Sequence, residues 1–130
     1  MPLKLTPEQE LAVNNKCNIL VAAAAGSGKT AVLVERVISK LCSKQNPVRA
    51  DKLLIVTFTN AAAAEMKSRI EKRLNEECQK NPDDTGLVLQ KHLLQNAKIC
   101  TIDSFCIDLV RENFEKLGYL TKLYSRARKG

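Results

Sequence analysis

Tryptophan is missing from the 130 residues, and aromatic side chains make up 4% of them. A chain so poor in aromatics must build its core from aliphatic side chains and alanine. Long apolar runs are missing too. Nothing approaches the ~20 residues of a membrane-spanning helix, and Met1-Pro2-Leu3-Lys4 lacks the hydrophobic segment of a secretory signal. A cytoplasmic location is the expectation. The five cysteines, Cys17, Cys42, Cys78, Cys100 and Cys106, contain no C-x-x-C, and the nearest pair, Cys100 and Cys106, is not at metal-ligand spacing. They read as buried small hydrophobes in a reducing compartment rather than as a metal site. The one histidine, His92, sits between Lys91 and Leu93 and reads as a surface helical residue. No acidic residue lies beyond Glu115, so Lys122, Arg126, Arg128 and Lys129 supply four of the seven net positive charges. A net charge of +7 suits an anionic partner such as nucleic acid, although a solvated basic tail accounts for much of it.

What is present begins with a hydrophobic content of 45%, ordinary for a globular chain, and a length that allows one domain at most. The stretch around which the rest is organised is residues 18–30, N-I-L-V-A-A-A-A-G-S-G-K-T. Ile19-Leu20-Val21 reads as a strand. A loop of small residues follows, and then an amphipathic helix over 29–43 carrying Ala31, Val32, Leu33, Val34, Val37 and Ile38 inward. Strand, small-residue loop and helix start, in that order, are what a phosphate-binding P-loop requires. Glycines let successive backbone N–H groups turn toward an anion, and the helix N-terminus adds its own unpaired N–H groups. Lys29 is placed to reach the β- and γ-phosphates, and the Thr30 hydroxyl to ligate Mg²⁺. One position departs from G-x-x-x-x-G-K-[ST]: the first glycine is Ala23, small but less free at positive φ. The bland alternative is a glycine-containing strand-to-helix turn that binds nothing.

Elsewhere the pattern alternates helices and strands. Thr6, Pro7 and Gln9 form the capping box of a first helix whose inner face is Leu11, Ala12 and Val13. After a connector with Asn46-Pro47, residues 52–58 form an apolar, β-branched run that reads as a strand buried on both faces, hence part of a parallel sheet. Asn60 is the expected N-cap of a helix over 61–78, with Ala64, Met66, Ile70 and Leu74 inward and Lys67, Arg69, Lys72 and Arg73 mostly outward. A loop over 80–85 leads to a helix over 86–97, a strand over 98–102, and a helix over 104–117 capped by Asp103 and ended by Gly118. Three strand-then-helix units predict an α/β fold with a doubly wound parallel sheet flanked by helices. Ligands bind such sheets at the carboxyl ends of the strands.

Four stretches also resemble, in order, the motifs of the UvrD/PcrA-like superfamily 1 DNA helicases. Leu5-Thr6-Pro7-Glu8-Gln9 is similar to their Q motif. Residues 23–30 are similar to motif I, in which alanine at the first position is common. T-F-T-N-A-A-A-A-E-M from Thr57 is similar to motif Ia, and T-I-D-S-F-C from Thr101 to motif Ib. Within the superfamily, A-A-A-A-G-S-G-K-T-A-V-L-V-E-R and the motif Ia run resemble the helicase/nuclease branch of AddA type. The resemblance covers residues 5–117 and implies an incomplete, N-terminal part of the P-loop (RecA-like) helicase domain 1A over 1–118.

It also implies residue roles. Gln9 would recognise the adenine edge of ATP. Ala23, Ala24, Ala25, Gly26, Ser27, Gly28, Lys29 and Thr30 would hold the phosphates and Mg²⁺. Arg36 matches a helix arginine lying against the nucleotide. Thr57, Phe58, Thr59 and Asn60, together with Thr101, Ser104 and Phe105, would contact single-stranded DNA, with Phe58 stacking on a base. Asp103 stands where the family has histidine, and capping its helix is the preferred reading. The implied partner is an AddB-like protein, and the implied task is processing duplex ends in double-strand break repair. No D-E-x-x-D segment occurs in the sequence, so ATP hydrolysis by these residues alone is expected to be weak or nil. The basic stretch 119–130 departs from the family and reads as a divergent tail, a frameshift or a truncation. The rival readings are a non-catalytic nucleotide- or DNA-binding remnant, a small P-loop kinase or GTPase, and a product that does not fold.

Overall fold

The β-branched run Leu54–Thr57 does form a strand, β1, and it pairs in parallel with a second strand, β2, Lys98–Thr101. This computed structural model describes residues 4–26 and 28–117. Ser27, Gly118 with its expected capping role, and the basic stretch 119–130 lie outside the described residues. The helices are α1 (Pro7–Asn14), α2 (Lys29–Leu41), α3 (Asn60–Lys80), α4 (Thr85–Leu93), α5 (Ile102–Glu112) and α6 (Phe114–Leu117), with 3₁₀ turns at Ala50–Lys52 and Leu94–Asn96. The chain is therefore α/β. The register runs from Leu54 opposite Lys98 to Thr57 opposite Thr101. The crossover between the two strands passes through α3 and α4, as a parallel pair requires.

The core is aliphatic, as the scarcity of aromatics demands. Leu41, Ile70, Leu74 and Leu94 are almost completely buried. Around them pack Val34, Val37 and Ile38 of α2, Ile55 of β1, Met66 of α3 and Leu87 of α4. Gln90 is buried among them and is fully used. Its Oε1 accepts from the Ala50 N–H at 2.9 Å, and its Nε2 donates to the carbonyls of Leu41 at 3.1 Å and Val48 at 2.7 Å. It thereby stitches α4 to the connector between α2 and β1.

Several expectations are corrected by this arrangement. Ile19-Leu20-Val21 is not a strand. Among the described residues only β1 and β2 pair, and an extended segment without a ladder partner is no strand; Leu20 is 97% exposed. β1 is buried on one face only, because the helices carrying the core pack on the side Ile55 points to, while Leu54 and Val56 alternate to the other side and stay exposed. Leu11, Leu33 and Ala64 also face outward, and Ala63 takes the inward place expected of Ala64. The last helix divides at Asn113. Its side-chain Nδ2 donates to the Leu109 carbonyl, and its backbone N–H bonds to Val110 instead. No residue of α5 is buried, and Ile102, Ile107, Leu109 and Val110 are all open on its surface.

Threonine hydroxyls cap α1, α3 and α5, and the Asp84 carboxylate caps α4. The Thr6 capping box is complete in both directions. α3 is capped by Thr59, whose Oγ1 accepts from the Ala62 N–H at 3.1 Å, and Asn60 becomes the first helical residue. α5 is capped by Thr101, whose Oγ1 accepts from the Ser104 N–H at 3.1 Å, which leaves Asp103 in the first turn. In both cases a threonine with extended backbone stands one or two residues ahead of the expected cap and reaches the third helical N–H first.

Candidate functional site

The loop leading into α2 has two residues in the left-handed region, Gly26 at φ 77° and Gly28 at φ 82°. No described residue other than glycine has positive φ. Ala23 therefore sits in ordinary backbone, and the departure from glycine at that position costs no strain. Gly28 is the N-cap residue of α2 and supplies no side-chain acceptor. The first N–H groups of the helix are left to an outside acceptor, which is what an anion site needs. A Cβ at Gly26 would meet nothing within 4 Å, so the space beside the loop is open. Lys29 turns back across the loop and donates from Nζ to the Ala23 carbonyl at 2.8 Å. Its ammonium thus lies along the loop rather than pointing away. Ala24, Ala25 and Thr30 are exposed.

Gln9 is brought to this loop from α1. Its Oε1 accepts from the Thr6 N–H at 2.9 Å. A Cβ added to Gly28 would lie 3.3 Å from the Gln9 Nε2. The left-handed φ is what favours glycine here, and the same position leaves the Gln9 amide close beside it. Arg36, on the same helix as Lys29, turns toward α1. Its Nη1 donates to the carbonyls of Ala12 at 2.7 Å, Val13 at 3.4 Å and Asn15 at 2.7 Å, and its Nη2 to Cys17 at 3.1 Å.

The second group of candidate residues gathers at the carboxyl edge of the two strands. Thr57 and Thr101 are register partners there. Thr57 donates from its hydroxyl to the Thr59 carbonyl at 2.9 Å. The Thr101 hydroxyl donates to the Ser104 Oγ at 2.9 Å. Phe58 is 94% exposed, Asn60 is exposed, and Phe105 is half-buried. All seven residues named from the two stretches therefore share one edge. The hydroxyls of Thr59 and Thr101 are engaged in capping, whereas Phe58 presents its whole ring.

Three residues with clear structural work were missed or misplaced by the sequence reasoning. Gln90 gave no signal, because a buried glutamine looks like any helical glutamine. Arg73 was placed on a solvated face, yet it pairs with Glu35 of α2 at 2.6 and 3.1 Å and with Glu76 and Glu77 of its own helix. The Glu35 carboxylate chiefly raises the Arg73 pKa further above its usual value. Arg36 was visible as a charge six residues after Thr30, but its partners were not. The cysteines also differ from expectation. Cys17 and Cys106 are exposed, and Cys42, Cys78 and Cys100 are half-buried. Burial, with the Glu77 carboxylate second, pushes the Cys42 thiol up to about 11. Among the described residues no group of three or more His, Cys, Asp or Glu side chains is placed to hold a metal ion, and no helix is long and apolar enough to cross a membrane.

Comparison with known proteins adds an independent finding. Residues 5–129 match the family described as the UvrD/REP helicase N-terminal domain. An ATP-dependent helicase/nuclease subunit of Clostridium perfringens is 55% identical over 115 residues. Proteins of the same description from Clostridioides difficile and a Thermoanaerobacter species are 51% and 54% identical, over 116 and 115 residues. Each of these alignments covers 88% of this chain and 9% of the relative.

Proposed function

The chain belongs to the UvrD/REP helicase N-terminal domain family, and from that premise we propose that it is the ATP- and single-stranded-DNA-binding part of an ATP-dependent helicase/nuclease. The observation that supports the reading is the position of the Gln9 amide beside Gly28, in the loop that we read as the phosphate site. Gln9 would read the adenine edge, since a glutamine amide matches the donor and acceptor pair at N6 and N7. Ala23, Ala24, Ala25, Gly26, Ser27 and Gly28 would line the phosphates. Lys29, already lying along the loop, would move its ammonium from the Ala23 carbonyl to the β- and γ-oxygens. Thr30, exposed at the helix start, would ligate Mg²⁺. The fit is supported by the open space at Gly26 and by the uncapped N-terminus of α2. Bound Mg·ATP would supply the phosphoryl group whose transfer to water powers such motors.

Thr57, Phe58, Thr59 and Asn60, with Thr101, Ser104 and Phe105, would form the strand-contacting edge. The fully exposed Phe58 ring is suited to sequence-tolerant stacking. In the whole protein these sites would serve end processing in double-strand break repair beside a second, AddB-like protein, in the cytoplasm.

The test is calorimetric titration of the 130-residue chain with Mg·ATP, alongside a phosphate-release assay with and without single-stranded DNA. Binding that is lost in Lys29→Ala, with no turnover, is the expected result. A folded chain that binds no nucleotide would refute the reading, and DNA-stimulated turnover that Lys29→Ala abolishes would refute the expectation that these residues alone do not hydrolyse ATP.

A further inference from the structure

We propose that Arg36 is a positioning residue: it holds the helix bearing Gln9 against the P-loop and makes no direct contact with nucleotide. The inference rests on the reading of Gln9 and the loop just given. It starts from how little else holds α1. That helix has eight residues, and Val13 is the single one buried. A helix so short is marginal on its own in water. Its last four carbonyls have no partner within the helix, and its last turn contains no basic residue.

Arg36 supplies what α1 lacks from outside. Its guanidinium reaches the carbonyls of Ala12 and Val13, in the last turn, and those of Asn15 and Cys17 just beyond. Two nitrogens and four acceptors make a clamp that needs a planar fork. The guanidinium is thereby occupied by backbone, on the side of α2 that faces α1. The same α2 begins at Lys29, and the same α1 carries Gln9. A rigid span of α2 therefore joins the residue that anchors α1 to the loop against which Gln9 must stand. Releasing Arg36 would let α1 shift and take the Gln9 amide away from Gly28. Phosphate binding, which depends on the loop and on Lys29, would be unaffected.

The experiment uses the full 130-residue chain, wild type and with Gln9→Ala, Arg36→Lys and the two combined. Affinities are measured in Mg²⁺ for ATP, GTP and inorganic tripolyphosphate. Gln9→Ala is expected to erase a preference for ATP over GTP of about 5- to 150-fold, the range for one bidentate base contact. Arg36→Lys is expected to lower that preference to a similar extent, to leave tripolyphosphate affinity within about twofold, and to add nothing to Gln9→Ala. Tripolyphosphate affinity falling in parallel with ATP affinity, or losses that add in the double variant, would assign Arg36 to the nucleotide and overturn the proposal. A Gln9→Ala variant that keeps full preference for ATP would refute the Gln9 reading itself and the positioning role with it. Amide hydrogen exchange without nucleotide gives a separate readout. Arg36→Lys should speed exchange in residues 10–15 by about tenfold or more while α2 and α3 keep their protection. Unchanged protection there refutes the clamp whatever the nucleotide data show.

Discussion

Replacing Gln90 by leucine should cost this chain about 2–4 kcal/mol of stability, although the change makes the interior more apolar and nearly preserves volume. Gln90 is 6% exposed and makes three hydrogen bonds to backbone groups 40 to 49 residues away. Leucine leaves the Ala50 N–H without a partner, and Ala50 is completely buried, so no water replaces the lost acceptor. An orphaned buried donor costs about 1–3 kcal/mol. The Leu41 carbonyl, at the end of α2 on a residue only 1% exposed, is orphaned with it. Val48 is partly open, and its carbonyl can turn to solvent. The extra apolar burial of leucine returns about 1 kcal/mol at most.

The assay is urea unfolding followed by far-ultraviolet circular dichroism, since the chain has no tryptophan to report by fluorescence. With a typical slope of about 2 kcal/mol per molar, the midpoint should fall by about 1–2 M. Gln90→Glu separates the two halves of the argument. It keeps an acceptor for Ala50 but turns a carboxylate oxygen toward the Leu41 and Val48 carbonyls. Burial and those two oxygens would raise the pKa of this carboxyl in the folded state above its unfolded value. The stability of the variant is then greatest below the unfolded pKa, about 4.3, and is lost as pH rises through the folded pKa. A Gln90→Leu midpoint within 0.2 M of wild type, about 0.4 kcal/mol at that slope, would show that these bonds carry no net weight. So would a pH-independent Gln90→Glu variant.

Three further outcomes follow from the same geometry. Cys42, with its thiol pushed up to about 11 from 9.0, should have about a hundredfold less thiolate at pH 8 than an unshifted thiol; in an iodoacetamide time course read by peptide mass spectrometry, the exposed Cys17 and Cys106 should therefore label well before it, and equal rates would contradict its burial. A double-mutant cycle on Glu35 and Arg73, whose side chains are 17% and 24% exposed, should give a coupling above the ~0.5 kcal/mol expected of the exposed Arg69–Glu65 pair; indistinguishable couplings would mean that α2 and α3 are held by their apolar contacts alone. Phe58→Ala should weaken binding of a fluorescent oligothymidine by about 5- to 150-fold, the range for one lost base stack, without moving the unfolding midpoint, because a ring 94% exposed contributes nothing to the core; unchanged DNA affinity would remove Phe58 from the proposed edge.

What separates the legible from the illegible features here is the distance along the chain to the partner. The Thr6–Gln9 capping box is a three-residue interaction and was readable from residue types alone. The left-handed glycines of the loop before α2, Gly26 and Gly28, were readable for the same reason, since that loop is built by consecutive residues. The caps at Thr59 and Thr101 were missed by one and two positions. Each lies where a strand ends, and sequence does not show which of several hydroxyl or acidic neighbours takes the extended backbone that a cap requires. The carbonyl and amide partners of Gln90 and Arg36, and the Glu35 partner of Arg73, lie 19 to 49 residues away, where local sequence gives no sign of them. The strand expected at residues 19–21 failed for a related reason, because strand character depends on a neighbour to pair with and not on β-branched residues alone. The parallel pairing, by contrast, followed from the order of elements. It also had a consequence no local reading contained: register places Thr57 opposite Thr101. Two stretches 44 residues apart in sequence thus begin their helices at one edge, and it is this pairing that makes them candidates for a single surface.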